Sequence, residues 1–527
     1  MNAARRQEPA GRGGAMQDRG VREELDRLFM PRSVALIGAT NNLSKWGGMI
    51  LANIITNRFR GKIYPVNLRD RRVLGLEAYP SILDVPETVD LACIVTPAAT
   101  VPQILAECGR KGVRTVLVIS SDFSETGAEG RHREELLKKE AARFAVRLIG
   151  PNSMGIFSAP RSLVCMMALM EPRKGDISFV SQSGNIGVHM MVWGKSLSAG
   201  FRYFVSSGNE AHTTCTDYIE YFGDDPHCRV IMAYLESLKG GGPGFVERAR
   251  KVAERKPVLV FKGGKTLAGQ KAAVSHTGAL AGVSGVFDAA FRQAGLIQVR
   301  TTEAFIDCAR ILGRLPVPRG NRVGIITRGG GWGVITADAC EEQGLRVAPL
   351  EPKTLEALDR LLPAYWSRGN PVDLVAVPDI GVYLRCAQIL AQDRNIDGII
   401  ALGSLPERIV RFLRKPALKE ATGMDDCAIQ ETESLVLKAA EGVVEGLIDL
   451  MGETGKPVVM VGGRRLTPRI TALMEKAGVH FYPTPERAVR VMARLMEYGI
   501  FRRRCEEGYG RRESGGDAEG VPDGLVF

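Results

Sequence analysis

Short runs of apolar residues alternate along the chain with longer stretches in which apolar residues recur every three or four positions. Runs of the first kind are typical of buried β-strands, and stretches of the second kind are typical of amphipathic helices. The alternation continues almost from end to end, as it does in proteins whose parallel sheets carry helices on both faces. The pattern therefore predicts an α/β fold.

The first third of the chain has the pattern of a Rossmann-like domain. Its apolar runs predict strands at residues 33–37, 62–67, 91–95, 115–120 and 147–149. A glycine turn follows the first predicted strand, and a helix is predicted near residues 48–57. Doubly wound sheets bind nucleotide phosphates at such a turn, because the helix that follows it presents unpaired N–H groups.

Two further domains of similar construction are predicted after the first. The segment Ile177-Ser-Phe-Val-Ser-Gln-Ser-Gly belongs to the opening of the second domain, and Val323-Gly-Ile-Ile-Thr-Arg-Gly-Gly repeats its pattern in the third. Other strands of the second domain are predicted at 230–234 and 257–261, and the prolines within residues 315–319 indicate a linker. Two flavodoxin-like domains in tandem are the simplest interpretation.

Composition narrows the class of protein. The 527 residues are 45% hydrophobic and 24% charged, which is the balance of a soluble globular protein. We find no apolar run long enough for a membrane span and no signal segment, and expect a cytoplasmic protein. The ten cysteines form no CxxC pair, which predicts reduced thiols and no metal site. The net charge of +11 is spread along the chain, which favours small anionic ligands over nucleic acid.

The residues around the first glycine turn indicate the kind of ligand. The turn, Gly38-Ala39-Thr40, does not have the GxGxxG spacing of dinucleotide sites. The second predicted strand is followed by Arg69, Arg71 and Arg72 instead of the acidic residue that would hold the ribose of NAD. Arginines at this position favour a ligand with an additional phosphate. CoA, with its 3′-phosphate, and NADP both satisfy this requirement.

Six segments of the chain together resemble one protein family. They are Val34-Ala-Leu-Ile-Gly-Ala-Thr, Tyr64-Pro-Val-Asn, Ile149-Gly-Pro-Asn-Ser-Met-Gly, Phe179-Val-Ser-Gln-Ser-Gly, Tyr234-Leu-Glu-Ser and Val274-Ser-His-Thr-Gly-Ala-Leu-Ala-Gly. The last segment is the most specific. On these segments the chain resembles, over about residues 24–500, the CoA-binding α subunits of ADP-forming acyl-CoA synthetases, which are relatives of succinyl-CoA synthetase.

The resemblance implies a Rossmann-like CoA-binding domain followed by two flavodoxin-like domains of the succinyl-CoA synthetase type. We place a disordered N-terminal arm at residues 1–23, the CoA-binding domain at 24–153, the first ligase domain at 154–318, the second at 319–501 and a disordered tail at 502–527. In this family CoA lies across the strand ends of the first domain. The expected CoA-binding residues are Gly38, Ala39, Thr40, Lys45, Val66, Asn67, Thr96, Pro97 and Asn152.

His276 is the predicted carrier of phosphate. It lies among small residues between the strand predicted at 257–261 and a helix predicted at 285–293. Neutral imidazole can accept a phosphoryl group and release it again. By its position alone a histidine is more often structural, and the family motif is what assigns this role. The resemblance also makes Glu236 the carboxylate that orients the imidazole ring and stabilises its positive charge.

Two glycine-containing turns are predicted to hold the phosphoryl group. In the second domain Ser181, Gln182, Ser183 and Gly184 form a strand-to-helix turn, where hydroxyls and backbone N–H groups converge on a helix N-terminus. In the third domain Gly329, Gly330 and Gly331 occupy the equivalent turn. We expect both turns to hold one phosphate without a fixed positive charge, so that the phosphate can be passed on.

The resemblance implies the reaction acid + CoA + ATP ⇌ acyl-CoA + ADP + phosphate, with a small carboxylic acid as substrate. No nucleotide domain is predicted in the chain, so ATP or ADP and its Mg²⁺ are expected on an ATP-grasp β subunit in an α2β2 hetero-oligomer. Two alternatives stay open. One is a non-catalytic, regulatory CoA-binding protein on the same scaffold, and the other is an NADP-dependent oxidoreductase.

Overall fold

The computed structural model describes residues 11–239, 241–271, 284–375, 377, 379–403, 412, 415–462 and 468–508, with the side chains of 11–19 and 284 left aside. The chain forms two compact units, Met1–Thr302 and Glu303–Phe527. Each unit is an α/β structure built on parallel sheets, as the sequence predicts. No helix among the described residues is long and apolar enough to cross a membrane.

The first unit begins with a five-stranded parallel sheet and a two-stranded hairpin. The strands are β1 (Ser33–Ile37), β2 (Lys62–Val66), β3 (Arg72–Val73), β4 (Leu76–Glu77), β5 (Leu91–Ile94), β6 (Thr115–Val118) and β7 (Arg147–Ile149). The helices of this part are α1 (Gly11–Phe29), α2 (Trp46–Thr56), α3 (Val101–Lys111) and α4 (Ala128–Arg143). Strands such as β1 and β5 are buried along their whole length, as expected for a sheet covered on both faces.

The strand order of this sheet is β2-β1-β5-β6-β7, and all its pairs are parallel. The chain therefore winds to one side of β1 and then returns to the other side. Such a reversal opens a crevice at the carboxyl ends of the two strands where it occurs, here β1 and β5. The predicted glycine turn follows β1, and Thr96 follows β5.

A seven-stranded sheet forms the rest of the first unit. Its strands are β8 (Gly155–Ser158), β9 (Leu163–Met166), β10 (Lys174–Ser181), β11 (Phe201–Ser206), β12 (Val230–Leu235), β13 (Val258–Lys262) and β14 (Ile297–Val299). Its helices are α5 (Gly184–Ser196), α6 (Cys215–Asp224), α7 (Gly242–Ala253) and α8 (Ser284–Gln293). The order β14-β13-β12-β10-β11-β8-β9 places the reversal between β10 and β12, and β8 and β9 add an antiparallel edge.

Helix α1 joins the two sheets of the first unit. The Glu24 carboxylate accepts a 2.6 Å hydrogen bond from Arg147 of the first sheet. Phe29 is buried against aromatic rings of the second sheet and its helices, with centroids 4.8 Å from Tyr203 and 5.2 Å from Tyr221. Residues 11–23 were predicted to belong to a disordered arm, whereas the structure places them in this helix. The apolar face of the helix is buried between neighbours that are distant in sequence.

The second unit holds a six-stranded parallel sheet. Its strands are β15 (Arg322–Thr327), β16 (Arg346–Val347), β17 (Val372–Asp373), β18 (Gly398–Leu402), β19 (Val458–Val461) and β20 (Phe481–Tyr482). Its helices are α9 (Thr302–Ile311), which begins at the boundary, α10 (Gly330–Glu342), α11 (Pro352–Asp359), α12 (Ile380–Gln392), α13 (Pro416–Thr422), α14 (Asp426–Thr454), α15 (Pro468–Ala477) and α16 (Pro485–Glu506). Helix α16 continues into the tail that was predicted to be disordered from residue 502.

The main path of this third sheet is β16-β15-β18-β19-β20. The chain again winds to one side of β15 and then returns to its other side. The carboxyl ends of β15 and β18 therefore flank a crevice, and Gly329–Gly331 follow β15. Helix α9 is fixed to α16 by the buried Asp307, whose two carboxylate oxygens each accept a 2.9 Å hydrogen bond from Arg487. This bidentate pair is the strong form of a charged hydrogen bond.

Candidate functional site

The glycine turn after β1 is held in a conformation that requires glycine at its first position. Gly38 has φ +95°, and its N–H donates a 3.1 Å hydrogen bond to the carbonyl of Val66. A Cβ atom at this position would lie 2.8 Å from the carbonyl oxygen of Val95. The backbone immediately after β5 therefore approaches the turn too closely for a side chain, and the turn lies in the crevice between β1 and β5.

Asn67 connects this turn to the loop after β2. Its side-chain N–H donates a 2.8 Å hydrogen bond to the carbonyl of Ala39. Its side-chain oxygen accepts hydrogen bonds from the backbone N–H groups of Arg69, at 2.8 Å, and Asp70, at 2.7 Å. The amide thus fixes the start of the segment that carries the exposed arginines predicted to bind a phosphate.

Helix α2 starts directly behind the turn. Lys45 immediately precedes the helix in an extended conformation and is exposed. Gly47 is buried so closely that a Cβ atom on it would lie 2.0 Å from the carbonyl oxygen of Gly38. The N-terminus of the helix therefore sits against the glycine turn. Partial positive charge at such an end suits a phosphate group.

The remaining predicted CoA-binding residues follow the next strands of the first sheet. Thr96 and the exposed Pro97 come after β5, and the Thr96 hydroxyl accepts a 2.9 Å hydrogen bond from that of Thr100. The hydroxyl of Ser120 donates to the carbonyl of Thr96, and the Ser120 carbonyl accepts a 2.9 Å bond from the N–H of Asn152. The structure therefore links Thr96 and Asn152 through Ser120 at one edge of the sheet.

The turn after β10 brings the predicted phosphate-binding residues together with Glu236. The side-chain oxygen of Gln182 accepts hydrogen bonds from the backbone N–H groups of Glu236, at 2.6 Å, and Ser237, at 3.0 Å. The Ser181 hydroxyl donates a 2.5 Å hydrogen bond to the carbonyl of Ser183, the residue that precedes α5. The turn and Glu236 thus meet where the second sheet reverses, between β10 and β12.

A glycine is required at the first residue of α5. A Cβ atom on Gly184 would lie 1.8 Å from the side chain of Met154. Because Gly184 has no side chain, the N-terminus of α5 can lie close to Met154, in the loop that follows the first sheet. The turn is in this way fixed by packing at Gly184 and by the hydrogen bonds of Ser181 and Gln182.

Glu236 is nearly buried, with 9% of its surface exposed. The Tyr234 hydroxyl donates a 3.3 Å hydrogen bond to one carboxylate oxygen. Burial raises the pKa of Tyr234, and the neighbouring charge of Glu236 raises it further. The tyrosine therefore stays protonated and acts as a hydrogen-bond donor to the carboxylate.

Sequence reasoning missed two buried charged residues near this turn, Lys262 at the end of β13 and Glu210 in the loop after β11. Glu210 is 3% exposed and accepts a 2.8 Å hydrogen bond from the hydroxyl of Ser207. Burial raises its pKa to about 7, against the opposing effects of Ser207, Gln182 and the charge of Lys239. Its φ of +51° is uncommon for residues other than glycine and asparagine. Strained backbone of this kind is often found at functional sites.

The loop that carries Glu210 joins the two sheets of the first unit. The backbone N–H of Asn209 donates a 2.9 Å hydrogen bond to the carbonyl of Pro151, and that of Ala211 donates a 3.0 Å bond to Gly150. The Asn209 side chain donates a 3.0 Å hydrogen bond to the buried Glu134 of α4. The predicted CoA edge and the phosphate turn after β10 are therefore connected through a single short loop.

The glycine turn after β15 belongs to the second unit. The Thr327 hydroxyl donates a 2.9 Å hydrogen bond to the carbonyl of Gly329 and accepts a 3.2 Å bond from its N–H. A Cβ atom on Gly330 would lie 3.1 Å from a carboxylate oxygen of Asp373, whereas one on Gly331 would meet nothing within 4 Å. The turn is thus stiff at its first residue and open at its third, and an acidic side chain borders it.

His276, the predicted phosphate carrier, lies outside the described residues. The described chain before it reaches residue 271, and α8 begins at Ser284. Its role as phosphate carrier is therefore a proposal.

Comparison with known proteins defines the class of the chain. Residues 32–159 match a CoA binding domain, residues 174–312 match a succinyl-CoA ligase like flavodoxin domain, and residues 323–409 match a Ligase-CoA domain. The three ranges follow one another in the order of the three sheets, although the first range includes β8 and the third ends before β19. The protein is therefore of the succinyl-CoA ligase type.

Individual relatives define the family. The alpha subunit of acetate–CoA ligase [ADP-forming] II from Pyrococcus furiosus is 38% identical over 88% of this chain and 95% of its own length. Acetate–CoA ligase [ADP-forming] I from Archaeoglobus fulgidus is 37% identical over 90% of this chain and 64% of its own length.

A solved structure, the dinucleotide forming acetyl-coenzyme A synthetase 1 of Ca. Korarchaeum cryptofilum in complex with phosphate and ADP, superimposes with a TM-score of 0.78. It is 31% identical, and the match covers 92% of this chain and 99% of that one. The chain belongs to the family of ADP-forming acetate–CoA ligase alpha subunits.

Proposed function

We propose that this chain is the CoA-binding, phosphate-carrying subunit of an ADP-forming acyl-CoA synthetase. The reaction is acid + CoA + ATP ⇌ acyl-CoA + ADP + phosphate, with a small carboxylic acid as substrate. The observation that carries the proposal is the junction at the second sheet, where Gln182 ties the turn Ser181–Gly184 to the backbone of Glu236. A phosphate-binding helix N-terminus and a buried carboxylate are the two supports that a phosphorylated histidine needs.

In the proposed mechanism His276 receives the phosphoryl group of ATP, and ADP leaves. The group then passes to an oxygen of the substrate carboxylate, which gives an acyl phosphate and restores the imidazole. The CoA thiolate attacks the acyl carbon and releases phosphate. Glu236 stabilises the imidazolium that forms during transfer, and the N–H groups around Ser183 and Gly184 hold the phosphoryl oxygens.

The first sheet fits CoA as the second substrate. Its glycine turn has no room for a side chain, the N-terminus of α2 lies against the turn, and Lys45 and the arginines after Asn67 are exposed beside it. These groups suit the phosphates of CoA. The loop of Asn209 connects this edge to the phosphate turn, because the N–H of Ser207 in the same loop donates a 2.9 Å hydrogen bond to the carbonyl of Ser181. A thiol bound at the first sheet would therefore lie near the second.

We further propose that ATP, ADP and Mg²⁺ bind to a second polypeptide of the ATP-grasp type, in an α2β2 assembly. Two comparisons support this division. The relative from Pyrococcus furiosus is named as a subunit, and the longer relative from Archaeoglobus fulgidus has more than a third of its length outside the match. Because its substrates CoA and ATP are metabolites of the cytoplasm, we propose that the assembly works there.

The test is phosphate transfer to the purified chain. With the partner and labelled ATP, we expect an acid-labile phosphate on the wild-type chain and none on His276→Ala. The chain alone should bind CoA in calorimetry but should form no acyl-CoA. His132→Ala, which changes an exposed helical histidine, is the matched control and should label normally. Labelling of His276→Ala, or acyl-CoA formation by the isolated chain, would contradict the proposal.

A further inference from the structure

Lys262 is a buried lysine at the carboxyl end of β13. Only 4% of its surface is exposed. Its ammonium nitrogen lies 4.6 Å from the centroid of the Phe287 ring in α8 and donates a hydrogen bond to the carbonyl of Gly263. Removing an ammonium group from water is unfavourable, so a lysine in such a position is a candidate for a functional role.

The Lys262 ammonium group and the Glu236 side chain both approach Gly263, the residue that follows β13. Strands β12 and β13 are parallel neighbours, and their register pairs Leu235 with Lys262, so that Glu236 and Gly263 come next on the two strands. A Cβ atom on Gly263 would lie 3.5 Å from Cγ of Glu236 and 2.4 Å from the Tyr234 hydroxyl. Glu236 therefore extends over Gly263, whose carbonyl accepts the hydrogen bond of Lys262.

In the described part of the chain, the charges that act on Lys262 are those of Glu236, Lys265 and Asp288. Burial lowers its pKa, and Lys265 in the loop after β13 lowers it further. The negative charges of Glu236, after β12, and Asp288, in α8, act in the opposite direction. Among the described residues, the Tyr234 hydroxyl donates a hydrogen bond to Glu236, and Tyr234 stays neutral because burial raises its pKa.

We propose that Lys262 is a positioning residue that keeps the Glu236 carboxylate ionised and in place during phosphoryl transfer. This inference rests on the proposed function of Glu236. A nearly buried carboxylate can stabilise an imidazolium only when it is charged, and a neighbouring ammonium group favours the charged form. In this proposal the effect of Lys262 requires Glu236 and requires the positive charge of the lysine. Each requirement can be tested separately.

The experiment is a double-mutant cycle on the chain assembled with its partner, in which the rate of histidine phosphorylation is followed from pH 5 to 9. We expect Lys262→Met to lower the rate by ~10- to 100-fold and to move the acid limb of the profile to higher pH by about one unit. In a Glu236→Gln background the same change should alter the rate by less than about twofold and leave the limb in place, because there is no carboxylate left to ionise.

Two further variants separate charge from packing. Lys262→Gln removes the charge but keeps a hydrogen-bond donor for the Gly263 carbonyl, and it should move the acid limb as Lys262→Met does. If Lys262→Met does not fold, Lys262→Gln still tests the proposal. Lys265→Met is the matched control: it removes a nearby lysine whose ammonium group lies within 3.4 Å of the Val299 carbonyl, and the acid limb should stay in place.

Two outcomes would overturn the inference. One is an equal loss of rate on removing Lys262 in the wild-type and Glu236→Gln backgrounds. The other is an acid limb that does not move in either Lys262 variant. If Glu236→Gln by itself leaves the phosphorylation rate unchanged, the proposed role of Glu236 fails first, and that result is distinguishable from a failure of Lys262 alone.

Discussion

At the scale of single residues, Glu210 links the stability of the protein to pH. A carboxyl group whose pKa rises on folding binds its proton more tightly in the folded state than in the unfolded state. The pKa of Glu210 rises from 4.5 to about 7, mainly because the side chain is buried. Its contribution to stability is therefore present below pH 4.5 and is lost as the pH rises through about 7.

We predict that Glu210→Gln removes this dependence. The free energy of unfolding of the wild-type protein, taken relative to that of the variant, should fall by about 3 kcal/mol between pH 4.5 and pH 8. The measurement is urea unfolding of both proteins at several pH values. Because all other titrating groups are shared, their effects cancel in the difference. Parallel stability curves for the two proteins would mean that Glu210 does not hold its proton in the folded state.

At the scale of elements, α2 can approach the glycine turn because Gly47 has a hydrogen atom where other residues have a Cβ atom. We predict that Gly47→Ala pushes the helix away from Gly38, because the new Cβ would lie 2.0 Å from a carbonyl oxygen of the backbone. The stability should fall by about 1–3 kcal/mol, as in other overpacked cores. CoA should bind at least ~10-fold more weakly, since about 1.4 kcal/mol lost at the phosphate site is a tenfold change.

The control for this prediction is a glycine in an open helical position. Gly20 lies in α1, and a Cβ atom on it would meet nothing within 4 Å. Gly20→Ala should leave CoA binding unchanged and leave stability equal or higher by up to about 1 kcal/mol, because alanine favours helix. Thermal unfolding and calorimetry measure both effects. Unchanged CoA affinity in Gly47→Ala would show that the turn tolerates displacement of the helix.

The elements themselves were largely predictable. The predicted strands at 33–37 and 147–149 agree with β1 and β7, and the predicted helix at 285–293 agrees with α8 to within one residue. Short apolar runs between turns leave few alternatives, because a strand or helix is decided by neighbours within a few positions. The antiparallel strands β8 and β9 and the helix α1 were missed, since each is stabilised by contacts with distant segments.

The candidate site was predictable only in part. The structure brings Ser181–Gly184 and Glu236 together, because both follow strands that flank the reversal of the sheet. The bridging role of Gln182 did not follow from the sequence, since an amide side chain in a turn has many possible partners. His276 stays a prediction of the sequence, and so does the phosphate-binding role of Gly329–Gly331.

At the scale of the whole molecule, α1 holds together the two sheets of the first unit. We predict that Phe29→Ala lowers the stability of this unit by about 3–5 kcal/mol, because the buried ring packs among Tyr203, Tyr221 and Phe222. The exposed Leu136 of α4 supplies the control, since 39% of its surface is already in water. Leu136→Ala should change the stability by less than about 1 kcal/mol.

Urea unfolding measures this difference, and hydrogen exchange in peptides from the first unit assigns it to that unit. Equal stability of Phe29→Ala and wild-type protein would mean that α1 is not needed to join the sheets.

The sequence by itself determined the strands that precede the glycine turns and the positions of those turns, because these depend on residues that are close along the chain. It also carried the motifs that identify the family. Only the tertiary structure decided which charged residues are buried. Lys262 is an ordinary lysine at a strand end until β12 and β13 pair and Phe287 covers it. The pKa of Glu210 rises only because its loop is enclosed between two sheets. Burial of this kind depends on how strands that are distant in sequence are arranged in space.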